Sequence, residues 1–497
     1  MKCNRRLLIL LFAAALLFSN LVFSQQFSYK DSVDITQANS AVEGDDGSIY
    51  LSGYYAKSYA DTVVAMVWKL DQSGNLLTKK TLKCDAGVVH CGFVREMPNG
   101  DRVLMSYLSG DSTYPMFSAI GVLHDNLDWE PSGFVKEKGR VVAVMRSLES
   151  VSNKNVLLSV QLDLNSNKWG YKAYELSGNY QPIDSGKFYP IHSEYPELGY
   201  NPTTNDGRQV YFVSKIDTGG FSMVEGLMKI DTNLNCDTLM TYPSYLTFED
   251  DYVSSYLGNV VYTPAGLMVS MVTRKANWDP EVGDRDSYVL HRLDTNYKKV
   301  EELTFRESIP EEKENGQLAV DFAGNLILAA EDSINAWYSS DGRNRMEIIK
   351  LDPQRNLIFE KEVNLGFRIV IHNVVPTKDG GFLVMGGATD VGKTFFHAFV
   401  VKFDENGSIS GVSGLAPEDP LVNIYPNPAS EFLNLKSTKE FESVSIINDQ
   451  GQQVYGSSVI GQSLTIKTQT WPTGAYFVIA KFKEGFSTKK IVITTRK

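Results

Sequence analysis

Six glycines recur at nearly regular intervals between residues 46 and 381, each in a turn that leads into an apolar run. Most of these turns read Asp-Gly or Asn-Gly, which favours a tight hairpin because glycine readily adopts the positive φ that the turn requires. The turns and the strands predicted to follow them occupy residues 46–51, 99–104, 206–211, 265–269, 323–327 and 379–383. The chain is therefore expected to fold from repeated β-hairpins.

A second, charged turn lies downstream of each of these predicted strands. At 69–71 it reads Lys-Leu-Asp, and Gly74 follows shortly after Asp71. Such residues favour turns because short polar side chains bind the local backbone and glycine tolerates positive φ. The corresponding segments are 123–125, 229–231, 292–294, 350–352 and 402–404. Each repeat is thus predicted to contain four short antiparallel strands.

The spacing of the repeats predicts the architecture. The turn glycines are separated by 53, 107, 59, 58 and 56 residues, and the longest gap spans two repeats, with a degenerate repeat visible at 153–179. Seven four-stranded repeats of roughly 40 to 60 residues are typical of a β-propeller, in which radial closure protects the sheet edges. We therefore predict an all-β fold: a seven-bladed β-propeller over 25–415, with an N-terminal strand at 27–31 completing the last blade, followed by a small C-terminal β-sandwich.

The N-terminal segment has the pattern of a secretory signal peptide. Lys2, Arg5 and Arg6 precede the apolar run 7–18, and compact residues precede a predicted cleavage after Ser24. No later run approaches the roughly 18 to 20 apolar residues of a spanning helix. The mature chain is therefore predicted to be exported.

The C-terminal segment 421–497 differs from the repeats and follows a predicted linker at 416–420. It alternates apolar and polar residues in strand fashion at 443–447, 464–466, 475–479 and 491–493. Hairpin turns at 449–451 and 484–485 separate some of these runs. The pattern predicts a small β-sandwich of about 75 to 80 residues.

This tail resembles the C-terminal sorting domain of the Bacteroidota type IX (Por) secretion pathway over its whole length. The residues that carry the resemblance are Tyr425, Pro426, Asn427, Pro428, Gly474, Tyr476, Lys489 and Lys490. The resemblance implies transit through the periplasm and outer membrane, recognition by the type IX machinery, and attachment to surface lipopolysaccharide after removal of the tail. The body is similar to secreted bacterial propellers with Lys-φ-Asp-x-x-Gly-φ repeats, a resemblance that implies little about activity.

Acidic charge is concentrated in the body. The whole chain carries a net charge of −11, whereas 421–497 holds 9 Lys or Arg against 5 Asp or Glu, so the rest is strongly acidic. An acidic surface repels nucleic acid and anionic lipid. We predict no nucleic-acid partner, and a cation or a neutral glycan suits the body better.

Cysteines and acidic turns offer a few candidate sites. Cys84 and Cys91 lie close in sequence, and an oxidising compartment would permit a disulfide worth roughly 2 to 3 kcal/mol. His90 would add a third ligand, but a fourth ligand is missing, so we predict no metal there. Calcium is an alternative at the acidic turns 71–75 and 404–408 and in the loop 278–286, although Asx turns and a solvated loop are the preferred interpretations.

Motifs for catalysis are sparse. The chain has no Gly-x-Ser-x-Gly elbow and no His-Glu-x-x-His motif, and its 6 His are scattered. This absence of recognised motifs leans against an enzyme and favours a non-catalytic binding or scaffold module for an unidentified glycan or protein ligand. The alternative is a secreted hydrolase of glycans or peptides with its site at the propeller mouth.

Aromatic residues lie in the connections between the two hairpins of several repeats. These connections should share the face opposite the Asp-Gly turns, and aromatics on loops of a rigid scaffold often form binding sites. The predicted binding rim comprises Tyr55, Trp278, Trp337, Tyr338 and Phe395. The alternative is that such residues pack inside the blades.

Overall fold

The computed structural model describes most of the chain. The described residues are 27–30, 35–57, 62–191, 204–217, 223–243, 252–275, 285–305, 317–333, 344–365, 368–389, 396–409, 422–448, 453–458, 461–482 and 485–494. Throughout these ranges the regular structure is β-strand, and no helix occurs. The all-β prediction is confirmed. Within the described ranges there is accordingly no helix long and apolar enough to cross a membrane.

The chain divides into two compact units, whose main segments are Val33–Ser410 and Gly411–Lys497. Antiparallel sheets of four strands make up most of the larger unit, here called the body. Strand β1 (Phe27–Lys30) precedes these sheets, and its residues Ser28–Lys30 are grouped with the smaller unit. The first sheet contains β2 (Ile35–Glu43), β3 (Ile49–Ala56), β4 (Val64–Leu70) and β5 (Leu76–Thr81).

Nine strands form the next sheet, which consists of two consecutive antiparallel groups. The first group is β6 (Val89–Glu96), β7 (Arg102–Ser109), β8 (Met116–Leu123) and β9 (Trp129–Val135). The second is β10 (Arg140–Val151), β11 (Lys154–Asp163), β12 (Lys168–Leu176), β13 (Pro182–Ser185) and β14 (Tyr189–Ile191). A single parallel pair, Val141 with Met116, joins them. The second group is the degenerate repeat, and its turn uses Ser152 and Asn153, both at positive φ, in place of glycine.

Four further sheets complete the body, each in sequence order. One contains β15 (Thr204–Asn205), β16 (Val210–Asp217), β17 (Met223–Ile230) and β18 (Cys236–Pro243). The next contains β19 (Tyr252–Thr263), β20 (Gly266–Lys275), β21 (Arg285–Leu293) and β22 (Lys299–Phe305). It is followed by β23 (Gln317–Val320), β24 (Leu326–Ser333), β25 (Asn344–Leu351) and β26 (Leu357–Asn364). The last contains β27 (Arg368–Pro376), β28 (Phe382–Thr389) and β29 (His397–Phe403).

The predicted turn glycines have the backbone that the sequence required of them. Their φ angles are 75° at Gly47, 85° at Gly100, 80° at Gly207, 118° at Gly266, 84° at Gly324 and 86° at Gly380. The fourth residue of the second turn also requires a positive φ, although this residue is often not glycine. Leu127, Tyr180 and Leu234 adopt φ of 62° to 64° there, and each side chain is buried. Burial of a large apolar side chain offsets the strain of positive φ.

The Lys-φ-Asp motif also joins the two turns of a repeat. Its lysine lies on the third strand and reaches the aspartate of the first turn. Lys402 lies 2.7 Å from Asp379, Lys350 lies 3.0 Å from Asp321, and Lys69 lies 3.8 Å from Asp46. The repeat therefore encodes an ion pair as well as two hairpins.

Consecutive sheets of the body share apolar cores. Between the first and second groups the core includes Tyr50, Val67, Leu104 and Phe117. Equivalent clusters join each next pair through to the sheet β23–β26. Because each cluster draws on both neighbouring sheets, the sheets pack face to face in the order of the chain.

The C-terminal unit is a separate pair of sheets. One contains β30 (Val422–Tyr425), β31 (Phe432–Phe441) and β34 (Gly461–Lys467); the other contains β32 (Ser443–Asn448), β33 (Gln453–Ser457), β35 (Gly474–Phe482) and β36 (Gly485–Ile493). Its apolar core draws on both sheets and includes Leu433, Leu435, Val444, Val478 and Ile491. The predicted β-rich tail is confirmed.

Candidate functional site

A cavity of about 470 Å³ lies where the first strands of several body sheets end. Five strands supply most of its lining, namely residues 39–43 of β2, 93–96 of β6, 261–262 of β19, 318–320 of β23 and 373–376 of β27. Each of these strands leads directly into a glycine turn, so the cavity opens on the face that carries these turns. Backbone segments from five sheets thus form a concave polar and apolar surface on a rigid scaffold.

A buried charge network surrounds Glu43, one of the residues that line the cavity. Its carboxylate accepts a hydrogen bond from the backbone N–H of Lys378 at 2.5 Å and lies 3.4 Å from the Lys402 ammonium. Lys402 is 2% exposed and also pairs with Asp379 at 2.7 Å. Burial by itself raises the pKa of Asp379, but the Lys402 ammonium and the Thr377 hydroxyl hold it below its ordinary value. The Asp379 carboxylate therefore stays ionised at neutral pH.

A second charged group lies on the β6 side of the cavity. Arg95 makes a bidentate pair with Glu149, with N···O distances of 2.7 and 2.8 Å, and the carboxylate is fully buried. Asn205 donates to the same carboxylate at 2.5 Å. One buried acid thus ties together strands β6, β10 and β15. The bidentate geometry fixes the orientation of the guanidinium beside the cavity.

The lining of the cavity also includes one lysine, Lys378, and two exposed aromatic rings. Lys378 Nζ lies 2.7 Å from Asp45 and 3.3 Å from Glu96, and these hydrogen bonds, that to Asp45 above all, raise the pKa of Lys378. Tyr262 is 39% exposed and Phe322 is 74% exposed, and both line the cavity. Large exposed aromatic surface beside a cavity is typical of a contact point for a ligand.

The charged side chains that line the cavity are paired with one another or with neighbouring groups. Its ionic lining comprises Glu43, Arg95, Glu96 and Lys378, which balance in charge, and each has a partner of opposite charge. Across the part of the chain that the structure describes, no group of three His, Cys, Asp or Glu side chains is placed to hold a metal ion. The cavity therefore offers apolar area and hydrogen bonds without a net charge.

The predicted binding rim is only partly within the described residues. Tyr55 lies on β3, half-buried and opposite Thr36 and Val64, at the end of the strand away from the first turn. Four further members lie outside the described residues: Trp278, Trp337, Tyr338 and Phe395. The rim stays a prediction.

Sequence reasoning did not select the cavity residues, although the repeat held a signal for them. The position four residues before a turn glycine lines the cavity in five repeats, as Glu43, Glu96, Tyr262, Val320 and Pro376. This alignment of repeats could have found the site. These residues differ in chemistry and share only their position relative to the turn glycine, so no common residue type marks them in the sequence.

The acidic turns and the cysteine pair are the remaining candidate sites from the sequence. The Asp71 carboxylate accepts hydrogen bonds from the backbone of Ser73 and Asn75 at 2.8 and 2.9 Å, and Asp404 does the same for Asn406 and Ser408. These turns have the hydrogen bonds of Asx turns. Cys84 forms no disulfide with a described residue, and the side chain of Cys91 lies outside the description, so the Cys84–Cys91 disulfide stays a prediction.

The predicted sorting-motif residues occupy one end of the C-terminal unit or its last strands. Tyr425 is half exposed, and the bonds before Pro426 and Pro428 are cis. Asn427 Oδ1 accepts a hydrogen bond from the backbone of Val492 at 2.9 Å. The remaining motif residues lie on β35 and β36: Gly474 starts β35, Tyr476 is buried there, and Lys489 and Lys490 lie on β36, where only their backbone is described.

The comparison with known families identifies the tail. Residues 423–494 match the family described as secretion system C-terminal sorting domain. The tail is thus a type IX sorting domain, which directs the protein to the cell surface or the extracellular space and implies contact with the type IX machinery. No curated protein matches the sequence.

Solved structures with a similar fold are distant. A puromycin hydrolase S511A mutant is 14% identical with a TM-score of 0.45, and the match covers 81% of this chain but only 58% of the hydrolase. The β-propeller domain of the Trilobed protease from Pyrococcus furiosus is 6% identical with a TM-score of 0.42, covering 77% of this chain and all of that domain. A PL25 ulvan lyase is 10% identical with a TM-score of 0.43, covering 76% and 97%. Likenesses this distant carry no argument about activity.

Proposed function

We propose that this chain is an exported, seven-bladed β-propeller that binds a neutral glycan or a peptide segment in its cavity, as a binding or scaffold module. In this proposal residues 1–24 are a signal peptide, 25–415 form the propeller, 416–420 are a linker and 421–497 the sorting domain. Surface lipopolysaccharide is the expected attachment point at the outer membrane once the tail is removed. The cavity holds its ligand without transforming it.

The order of the sheets supports the propeller. Among the described residues, apolar cores join consecutive groups of strands in chain order from β2–β5 to β23–β26. Strand β2 of the first group also contacts the last group, β27–β29. Thr36 N–H donates to the Phe396 carbonyl at 2.9 Å, and Ala398 N–H donates to Thr36 Oγ1 at 2.8 Å. Contacts between the two ends of the series are what radial closure requires.

The cavity is the observation that carries the proposed activity. Its charges are balanced by internal partners, so a ligand need not supply a charge to compensate them. Phe322 and Tyr262 offer exposed aromatic faces at its mouth, and such faces pack well against the apolar side of a sugar ring or a peptide. Backbone groups at the strand ends supply hydrogen-bonding positions.

A glycan array probed with the chain lacking residues 1–24, followed by calorimetry on the best ligand, tests this proposal. Phe322→Ala should weaken binding about tenfold, or roughly 1.4 kcal/mol, because an exposed aromatic contact is lost. Leu357→Ala is the matched control, since Leu357 is 55% exposed but lies on β26, away from the cavity lining. Equal affinity of the parent and Phe322→Ala for the same ligand would contradict the cavity as the binding site.

A further inference from the structure

His90 and Ser109 form a hydrogen-bonded pair at the opposite end of β6 from the cavity. His90 is the second residue of β6 and Ser109 is the last residue of β7, and His90 Nε2 is hydrogen-bonded to Ser109 Oγ. The other ring nitrogen, Nδ1, lies 3.0 Å from the backbone carbonyl oxygen of Val63, which precedes β4. Three segments from two sheets thus converge on one imidazole ring.

The partners of the ring fix the position of its proton. A carbonyl oxygen can only accept a hydrogen bond, so Nδ1 must carry the N–H that points at Val63. In a neutral imidazole the other nitrogen, Nε2, then has a free lone pair and accepts the hydrogen bond from the Ser109 hydroxyl. This is the tautomer in which a histidine can take a proton from a serine.

The surroundings keep the ring neutral and oriented. Burial lowers the pKa of His90, and the hydrogen bond to Val63 opposes that effect only in part. Tyr107 stacks on the imidazole with ring centroids 5.1 Å apart and an angle of 16° between the planes. The ring is therefore unprotonated at neutral pH and held against rotation, as a general base needs to be.

The pair lies near the surface rather than in a core. His90 and Ser109 are both half-buried, while Val88 and Gly110 beside them are exposed. Gly87 passes so close to Ser109 that a Cβ there would lie 2.2 Å from the Ser109 carbonyl oxygen. Only glycine permits this approach of the β5–β6 connection to the end of β7.

We propose that Ser109 and His90 form an acyl-transfer site that acts on carboxylic esters, independently of the ligand cavity. Ser109 Oγ attacks the acyl carbon while His90 Nε2 takes the hydroxyl proton. The bond between the acyl carbon and the alcohol oxygen breaks, and the alcohol leaves with the proton from His90. Water then attacks the acyl-Ser109 ester, again with His90 as base, which releases the carboxylic acid and restores the serine. The Val63 carbonyl is a positioning group for the ring.

A fluorophosphonate probe tests the reactivity of this serine on the native chain. Attack by Ser109 Oγ forms an O–P bond and expels fluoride, and His90 takes the proton. We expect one adduct per chain, located by mass spectrometry on the peptide that contains Ser109. An unlabelled chain, or an adduct on a different residue, would overturn the proposal, and this readout needs no variant.

Three variants then test the roles of the pair, with hydrolysis of p-nitrophenyl acetate as a second readout. Ser109→Ala should abolish both labelling and hydrolysis. His90→Asn should slow labelling about 100-fold or more, because an amide can bind Val63 but cannot take a proton. Ser132→Ala should label at the parent rate, since Ser132 is hydrogen-bonded only to the Asn179 carbonyl among its described contacts. Labelling of His90→Asn at the parent rate would overturn the assignment of His90 as base.

Discussion

Two interfaces between body sheets are held together in different ways. The polar interface joins β2 to the sheet β27–β29, and the apolar interface joins the sheets β19–β22 and β23–β26. The polar interface carries Glu43 with Lys402, Thr36 with Ala398, and the His372 ring 3.0 Å from the Ala38 carbonyl. The apolar interface is a cluster of buried side chains that includes Val261, Met268, Leu290, Leu318, Leu328 and Ile349.

The two interfaces also differ in how far apart their contacting residues lie in the sequence. Partners at the polar interface are 335 to 362 residues apart in the hydrogen bonds from Lys378 to Glu43 and from Ala398 to Thr36. Neighbouring repeats are joined by short connections, so non-directional burial suffices to pack them. The first and last repeats must instead pair with each other, although the other repeats have a similar apolar pattern. We interpret the directional polar contacts as the feature that specifies this pairing.

The largest expected effect comes from breaking the polar interface at its cation. Lys402→Met leaves the buried carboxylates of Glu43 and Asp379 without a counter-charge, and loss of one partner of a buried pair costs about 3 to 5 kcal/mol. Urea unfolding followed by tryptophan fluorescence measures the change. Lys69→Met is the matched control, since Lys69 holds the same place in its repeat but pairs with the exposed Asp46 at 3.8 Å. The control should lose less than about 1 kcal/mol of unfolding free energy. Equal losses in both variants would show that the polar interface does not depend on the buried Lys402 more than on an exposed ion pair.

At the apolar interface, stability should depend on close packing and should fall when a buried side chain is truncated. Leu328→Ala removes a fully buried side chain from the cluster and should cost about 2 to 4 kcal/mol in the free energy of unfolding. Leu357→Ala removes an exposed leucine from β26 of the same sheet and should change stability little. The same urea titration compares them. A small loss for Leu328→Ala would mean that this interface does not depend on close packing.

The smallest expected effect is the pH dependence that Asp379 contributes at the polar interface. Because the folded-state pKa of Asp379 lies below its unfolded value, its ionisation stabilises the fold above about pH 4. That stability should be lost as the pH falls below about 4 towards the folded pKa. Asp379→Asn should therefore flatten the acid limb of the stability profile relative to the parent.

Leu328→Ala provides the control for the pH experiment. It should lower the free energy of unfolding by a similar amount at every pH, because no group in its cluster titrates. Parallel acid limbs for the parent and Asp379→Asn would show that this carboxylate does not couple to folding, and the polar interface would then lose its distinguishing property.

Local residue choice explains why much of the fold was predictable. Gly47 and Gly380 mark turns because no other residue takes positive φ so readily, and Lys-φ-Asp marks the second turn because the aspartate caps its own backbone. The tail was recognisable because Tyr425 to Pro428 and Gly474 to Tyr476 occur at fixed places. The candidate sites were less accessible, because contact between Ser109 and His90, or between Glu43 and Lys402, leaves no trace in spacing along the chain.

The β-repeats, their turns and the sorting tail can be read from the sequence, because each depends on the backbone preferences of a few adjacent residues. Three features require the folded chain: which strand ends line the cavity, which aspartate pairs with each lysine, and which serine is hydrogen-bonded to the unprotonated nitrogen of a histidine. Those outcomes depend on how whole sheets pack against one another, and packing energy is summed over side chains that are distant in sequence.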